Sequence, residues 1–208
     1  MTPAGVLVGR EGPLVSGLLA GLGVEIERVD PEQLDAQAWP SDWGDDAIVW
    51  LHVMPAGEVS EVALGDASLL LRSADLARQV AADAGKSLTF IALVPSRGLV
   101  SGALGLSCDL ARGALEGLME NRIGEWSAGG DRLLGVVYAG LADASIDGQR
   151  PNAELVSRTP SGALGTVGQL ADAITFLGSR RAAYVTGTLV HVDGGWNAYS
   201  WIYPARTI

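Results

Sequence analysis

The stretch "RTPSGALGTVGQLADAITFLGSRRAAYVTGTLVHVDGGW", Arg158 to Trp196, decides the fold. Thr166 stands three residues before Gln169, the spacing at which a hydroxyl and a carboxamide each bond the other residue's backbone N–H and start a helix. Val167, Leu170, Ala171, Ile174 and Leu177 follow at helical intervals and predict a single apolar stripe. Thr188–Val192 then reads as a short strand that stops at Asp193-Gly194-Gly195.

Upstream, the same alternation repeats. Val6–Val8, a Gly9 to Gly12 punctuation, an apolar helical stretch Leu14–Leu22 and a second run Val24–Val29 form a βαβ unit. "PEQLDAQAW" allows one short helix at most. Ala47–Val53 is an uninterrupted apolar run, the pattern of a strand buried on both faces. A helix over 64–84, a strand over 87–94 ending at Pro95, a Gly- and Ala-rich helix over 99–121 and a strand over 132–137 complete the series. The polar segment from Gly140 to Gly165 is expected to be a long loop with little structure of its own. Strands alternating with helices predict an α/β fold, a doubly wound parallel sheet with helices on both faces.

Bulk properties narrow the function. A chain of 208 residues, 48% hydrophobic, fits one domain, 1–208. The net charge of -10 would repel a phosphate backbone, so nucleic acid is not an expected partner. No basic n-region with an apolar run opens the sequence, and no stretch of about 18 apolar residues could span a bilayer. A soluble, cytoplasmic protein without a membrane partner is expected, and the single cysteine, Cys108, excludes an intrachain disulfide. A mean hydropathy of +0.26 suggests apolar surface covered by another subunit. Of the 14 basic residues only Lys86 is a lysine.

The C-terminal segment resembles the end of the short-chain dehydrogenase/reductase family. The matching residues are Arg158 and Pro160, Gly162 and Gly165, Phe176 and Leu177 with Ser179, Thr186 and Gly187, and Val192-Asp193-Gly194-Gly195. Ala56-Gly57 stands where the family has Asn-Ala-Gly, and Ala139-Gly140 where it has Pro-Gly. The resemblance implies a Rossmann-like sheet. Between Asp30 and Ala47 there is no room for a full helix, strand and helix, so six strands are expected, with the family's third strand region truncated.

The resemblance also implies chemistry that these residues only partly carry. The family's TGxxxGxG loop lets backbone amides reach a pyrophosphate at a helix N-terminus. Here it is reduced to "GREG", with Gly9 and Gly12 as candidate glycines. Arg10 is either a phosphate clamp in a rebuilt loop or part of a plain tight turn. Asp30 occupies the position of an acidic ribose-binding residue. The family's catalytic Tyr and Lys, four residues apart on one helix, correspond to Cys108 and Arg112, and Ser96 matches the family serine. The residue four before Lys86 is Ala82, so no YxxxK pair exists anywhere in the chain. Ser96 alone reads as a turn residue, and Cys108 with Arg112 either as a substitute reacting pair or as core. His52 and His191 fall within strands and read as structural.

Two functions from different classes follow. One is a non-catalytic subunit, without cofactor, that assembles with a catalytically competent short-chain dehydrogenase/reductase, or with itself. Its contacts would lie in the C-terminal segment 158–208, with Val190, Val192, Trp196, Tyr199, Trp201 and Tyr203 as interface residues. The aromatics could equally pack back on their own domain. The other is an active NAD(P)-dependent oxidoreductase with a rebuilt site.

Overall fold

The computed structural model describes residues 5–9, 12–22, 25–36, 39, 47–53, 62–96, 99, 102–144 and 152–198. Six strands pair in parallel: β1 (Gly5–Val8), β2 (Ile26–Val29), β3 (Ala47–Val53), β4 (Ser87–Pro95), β5 (Arg132–Tyr138) and β6 (Thr188–Val192). Their order is β2-β1-β3-β4-β5-β6. The sheet is the Rossmann-like one expected. No strand lies beyond β2 among the described residues, and a 3-10 turn at Pro31–Ala36 follows it instead.

Five helices cover the two faces: α1 (Pro13–Gly21), α2 (Val62–Asp83), α3 (Gly102–Ala128), α4 (Asn152–Arg158) and α5 (Val167–Gly178). Period-two alternation divides the central strands between them. Leu7, Leu51, Ile91, Leu93, Leu134 and Val136 face α1 and α5. Val6, Trp50, Phe90, Leu133 and Val137 face α2 and α3. With helices on both sides the central strands have no wet face, which is why their sequences are nearly continuous apolar runs.

Specific contacts fix each layer. The Trp50 indole nitrogen donates to the Ser73 hydroxyl of α2 at 2.9 Å, satisfying a polar atom in a fully buried ring. The Phe90 and Trp126 rings meet edge to face with centroids 6.0 Å apart. On the other face α1 approaches α5 closely through glycine. A Cβ on Gly17 would come within 2.9 Å of Val167, and one on Gly21 within 2.9 Å of Ala171. Arg132, at the start of β5, donates to the carbonyls of Leu177 (2.7 Å) and Ala182 (3.0 Å), and more weakly to those of Gly178 and Ser179. The Leu177 and Gly178 carbonyls are ones that the end of a helix leaves unpaired, while those of Ser179 and Ala182 also accept from the N–H groups of Ala182 and Val185.

The Thr166 cap is present in full. Its hydroxyl accepts from the Gln169 N–H at 3.2 Å, and the Gln169 side chain accepts from the Thr166 N–H at 3.0 Å. Three expectations need correction. The Gly140–Gly165 segment is not structureless, because it contains α4, held by buried Leu155 and a Glu154–Arg158 pair at 3.3 Å. One buried apolar residue in a polar stretch leaves no periodic signal. The third helix runs on to Ala128, since Leu118, Met119 and Trp126 continue its buried face through a polar-looking sequence. Trp196, named as an interface residue, is 3% exposed and packs into its own core. Gly194 and Gly195, with φ of 60° and 89°, reverse the chain and turn it under.

Candidate functional site

The positions expected to carry chemistry lie toward the carboxyl end of the sheet, where doubly wound folds bind their ligands. The strand order reverses between β1 and β3, so the crevice opens above Gly9. Gly9 is closely packed, since a Cβ there would meet Val15 at 3.0 Å and Val53 at 3.2 Å. Its carbonyl accepts from Arg28 of β2 at 3.4 Å. Gly12 is the N-cap of α1 with extended backbone and no side-chain cap, and Pro13 is the first helical residue. Proline removes one of the amide N–H groups that a helix N-terminus offers an anion. Asp30 ends β2, and its carbonyl accepts from Gln33 at 2.9 Å to start the 3-10 turn. Arg10 lies outside the described residues, as do Ala56-Gly57, Tyr199, Trp201 and Tyr203.

The structure describes all three positions that the resemblance matches to the family's catalytic residues. Ser96 follows β4, is 1% exposed, and its N–H donates to the Tyr138 carbonyl at 2.7 Å. Cys108 is buried in α3 beside Tyr138, whose phenol pKa is pushed upward by burial and by the neighbouring thiol. Arg112, one turn on, is 6% exposed. Its guanidinium lies 3.7 Å from Asp109 and 3.8 Å from Glu116, both on its own helix. The structure therefore brings Cys108 and Arg112 onto one helix, with the arginine charge balanced locally.

Sequence reasoning missed a network at the end of β6. Asp193 accepts from the N–H groups of Gly195 and Asn197, both at 2.9 Å, and from the Asn197 carboxamide at 2.8 Å. The same carboxamide nitrogen donates to the Ser96 hydroxyl at 2.8 Å, across 101 residues of chain. Burial pushes the Asp193 pKa up, but the Asn197 and Gly195 hydrogen bonds, with His191 beside it, hold it below its ordinary value. His191 Nδ1 lies 3.5 Å from the carboxylate. The Asp-x-Gly spacing marks an Asx turn and was readable. The bond to Ser96 required the fold.

A cavity of about 430 Å³ lies at the ends of β5 and β6, lined by Gly140, Leu141, Thr159, Gln169 and His191 among others. Among the described residues no group of three or more His, Cys, Asp or Glu side chains could hold a metal ion.

A sequence profile described as Enoyl-(Acyl carrier protein) reductase matches residues 74–197, more than half of the chain. The chain belongs to the short-chain dehydrogenase/reductase family. It is 32% identical over 124 residues to a tropinone reductase homolog of Arabidopsis thaliana, covering 58% of this chain and 47% of that protein. It is 28% identical over 116 residues to 2-dehydro-3-deoxy-D-gluconate 5-dehydrogenase of Bacillus subtilis, covering 54% and 44%. The chain thus spans about half the length of the curated relatives it matches. A short-chain dehydrogenase structure from Bacillus anthracis superposes with a TM-score of 0.68 at 18% identity, covering 96% of this chain and 98% of that one. At that identity the likeness shows the shared oxidoreductase-family fold. Among the described residues no helix is long and apolar enough to cross a membrane.

Proposed function

We propose that this short-chain dehydrogenase/reductase chain is a non-catalytic subunit, which assembles with a catalytically competent member of the family and supports that partner's active site or stability. The observation that carries the reading is the state of the three catalytic positions. Cys108 and Arg112 replace the tyrosine and lysine, and the Ser96 hydroxyl is occupied by Asn197. Without a phenol beside an ammonium there is no acid of lowered pKa to exchange a proton with a carbonyl or alcohol.

No nicotinamide cofactor is part of the proposal. Pro13 at the head of α1, the three-residue step from Gly9 to Gly12 and a sheet that ends at β2 do not fit a dinucleotide held in the family's manner. Apolar surface supports the assembly half of the reading. Leu106 and Leu110 on α3 are 58% and 44% exposed, and Phe176 of α5 is 44% exposed. Val190 and Val192 are half-buried on a strand that pairs, among the described residues, only with β5.

The decisive experiment is purification from the native host with identification of what comes with the chain, followed by titration of the isolated chain with NAD(H) and NADP(H). A stoichiometric, competent family partner and no cofactor binding are expected. A chain that purifies alone and binds nicotinamide tightly would overturn the proposal. It would favour the second reading, an oxidoreductase rebuilt around Ser96, Cys108 and Arg112, which the names of the relatives as reductases and dehydrogenases support.

A further inference from the structure

We infer that Ser96 is the keeper of a latch: through Asn197 it fastens the C-terminal turn to the carboxyl end of the sheet. The argument starts from donor counting. A carboxamide nitrogen has two hydrogens, and those of Asn197 go to Ser96 and Asp193, both at 2.8 Å. Asp193 in turn grips the Asn197 backbone N–H at 2.9 Å, so the side chain that reaches Ser96 is held at both ends. Trp196, buried in the core, pins the same turn from beneath.

Neither end of the latch can drift independently of the sheet. Ser96 is fixed by its N–H bond to Tyr138, and Asp193 directly follows β6. Ser96 is 1% exposed, so its bond to Asn197 is sheltered from water. The residue corresponding to the family's serine thus acts here as a positioning residue, and what it positions is the point from which the chain continues after Ala198. The latch goes beyond the proposed scaffold function and does not depend on it.

The test is amide hydrogen exchange of the full chain, free of ligand, in the wild type and in S96A, S96T, N197A and the S96A/N197A double variant. Exchange at positions 195 and 197 should rise roughly tenfold in S96A, the order expected for one net hydrogen bond, and at least as much in N197A, which also loses the carboxamide bond to Asp193. S96T keeps the hydroxyl and should exchange as the wild type does. The double variant should be no faster than N197A alone, because N197A already removes the one bond that S96A breaks. Chymotryptic cleavage after Trp196 should follow the same order. Unchanged exchange in S96A, acceleration spread over β4 and β6 as well as the turn, or additive single effects would each overturn the latch. If instead the isolated chain turned over a nicotinamide substrate, the proposed function would fail while the exchange result stood.

Discussion

The Arg112 guanidinium of α3 lies 3.7 Å from the Asp109 carboxylate, one turn back on its own helix. A cation balanced this way by its own helix differs from one poised over a cofactor. Restoring the family residues with C108Y and R112K should therefore give no oxidoreductase activity and no NADPH binding by the isolated chain. Steady-state assay and fluorescence titration check this, and measurable turnover by the double variant would count against the non-catalytic reading.

His52 is fully buried in β3, stacked near Phe90, and among the described residues neither ring nitrogen has a hydrogen-bond partner. Burial lowers its pKa from 6.5 to about 4. The unfolded chain then binds the proton more readily than the folded one, so stability falls as the pH drops from 6.5 toward 4 and levels off below. A shift of that size corresponds to roughly 3 kcal/mol. H52L should flatten that slope and raise the neutral-pH stability by about 1–2 kcal/mol by removing the unpaired nitrogens. Urea unfolding at a series of pH values is the measurement.

Arg132 holds the carbonyl end of α5 against the start of β5. R132A takes the donor from the Leu177 and Gly178 carbonyls in a partly buried place, and the expected loss is about 3 kcal/mol. R132K should recover less than half, because an ammonium lacks the planar fork that serves several carbonyls together. Thermal and urea unfolding of the two variants would decide.

The Thr166 capping box predicts a smaller effect. T166A should cost about 1 kcal/mol, while T166S, which keeps the oxygen, should be near neutral. A loss above about 2 kcal/mol would mean that Thr166 does more than cap α5.

The Asp193 carboxylate is held below its ordinary pKa of 3.8 and accepts the bonds that order the last turn. Those bonds stabilise the fold at pH values above 3.8 and are lost as acid protonates the group. Near-ultraviolet circular dichroism should therefore change only below pH 3.8 in H52L, where the histidine transition is gone.

What was legible in the sequence was legible for local reasons. The Thr166–Gln169 cap, the α5 stripe, the buried apolar strands and the absence of a YxxxK pair each depend on residues a few positions apart. So does the truncated stretch after Asp30, whose length leaves too little chain for another strand and its helices. The short helix α4 was missed because one buried leucine makes no period. The fate of Trp196 could not be read from its type, since an aromatic near an Asp-Gly-Gly turn serves equally well as core or contact surface. Two left-handed glycines and the position of the sheet beneath decided it. Likewise the sequence by itself determined that no tyrosine has a lysine four positions on. Only the tertiary structure joined Ser96 to Asn197, because a bond between residues 101 positions apart depends on where the ends of β4 and β6 come to rest once the sheet has closed.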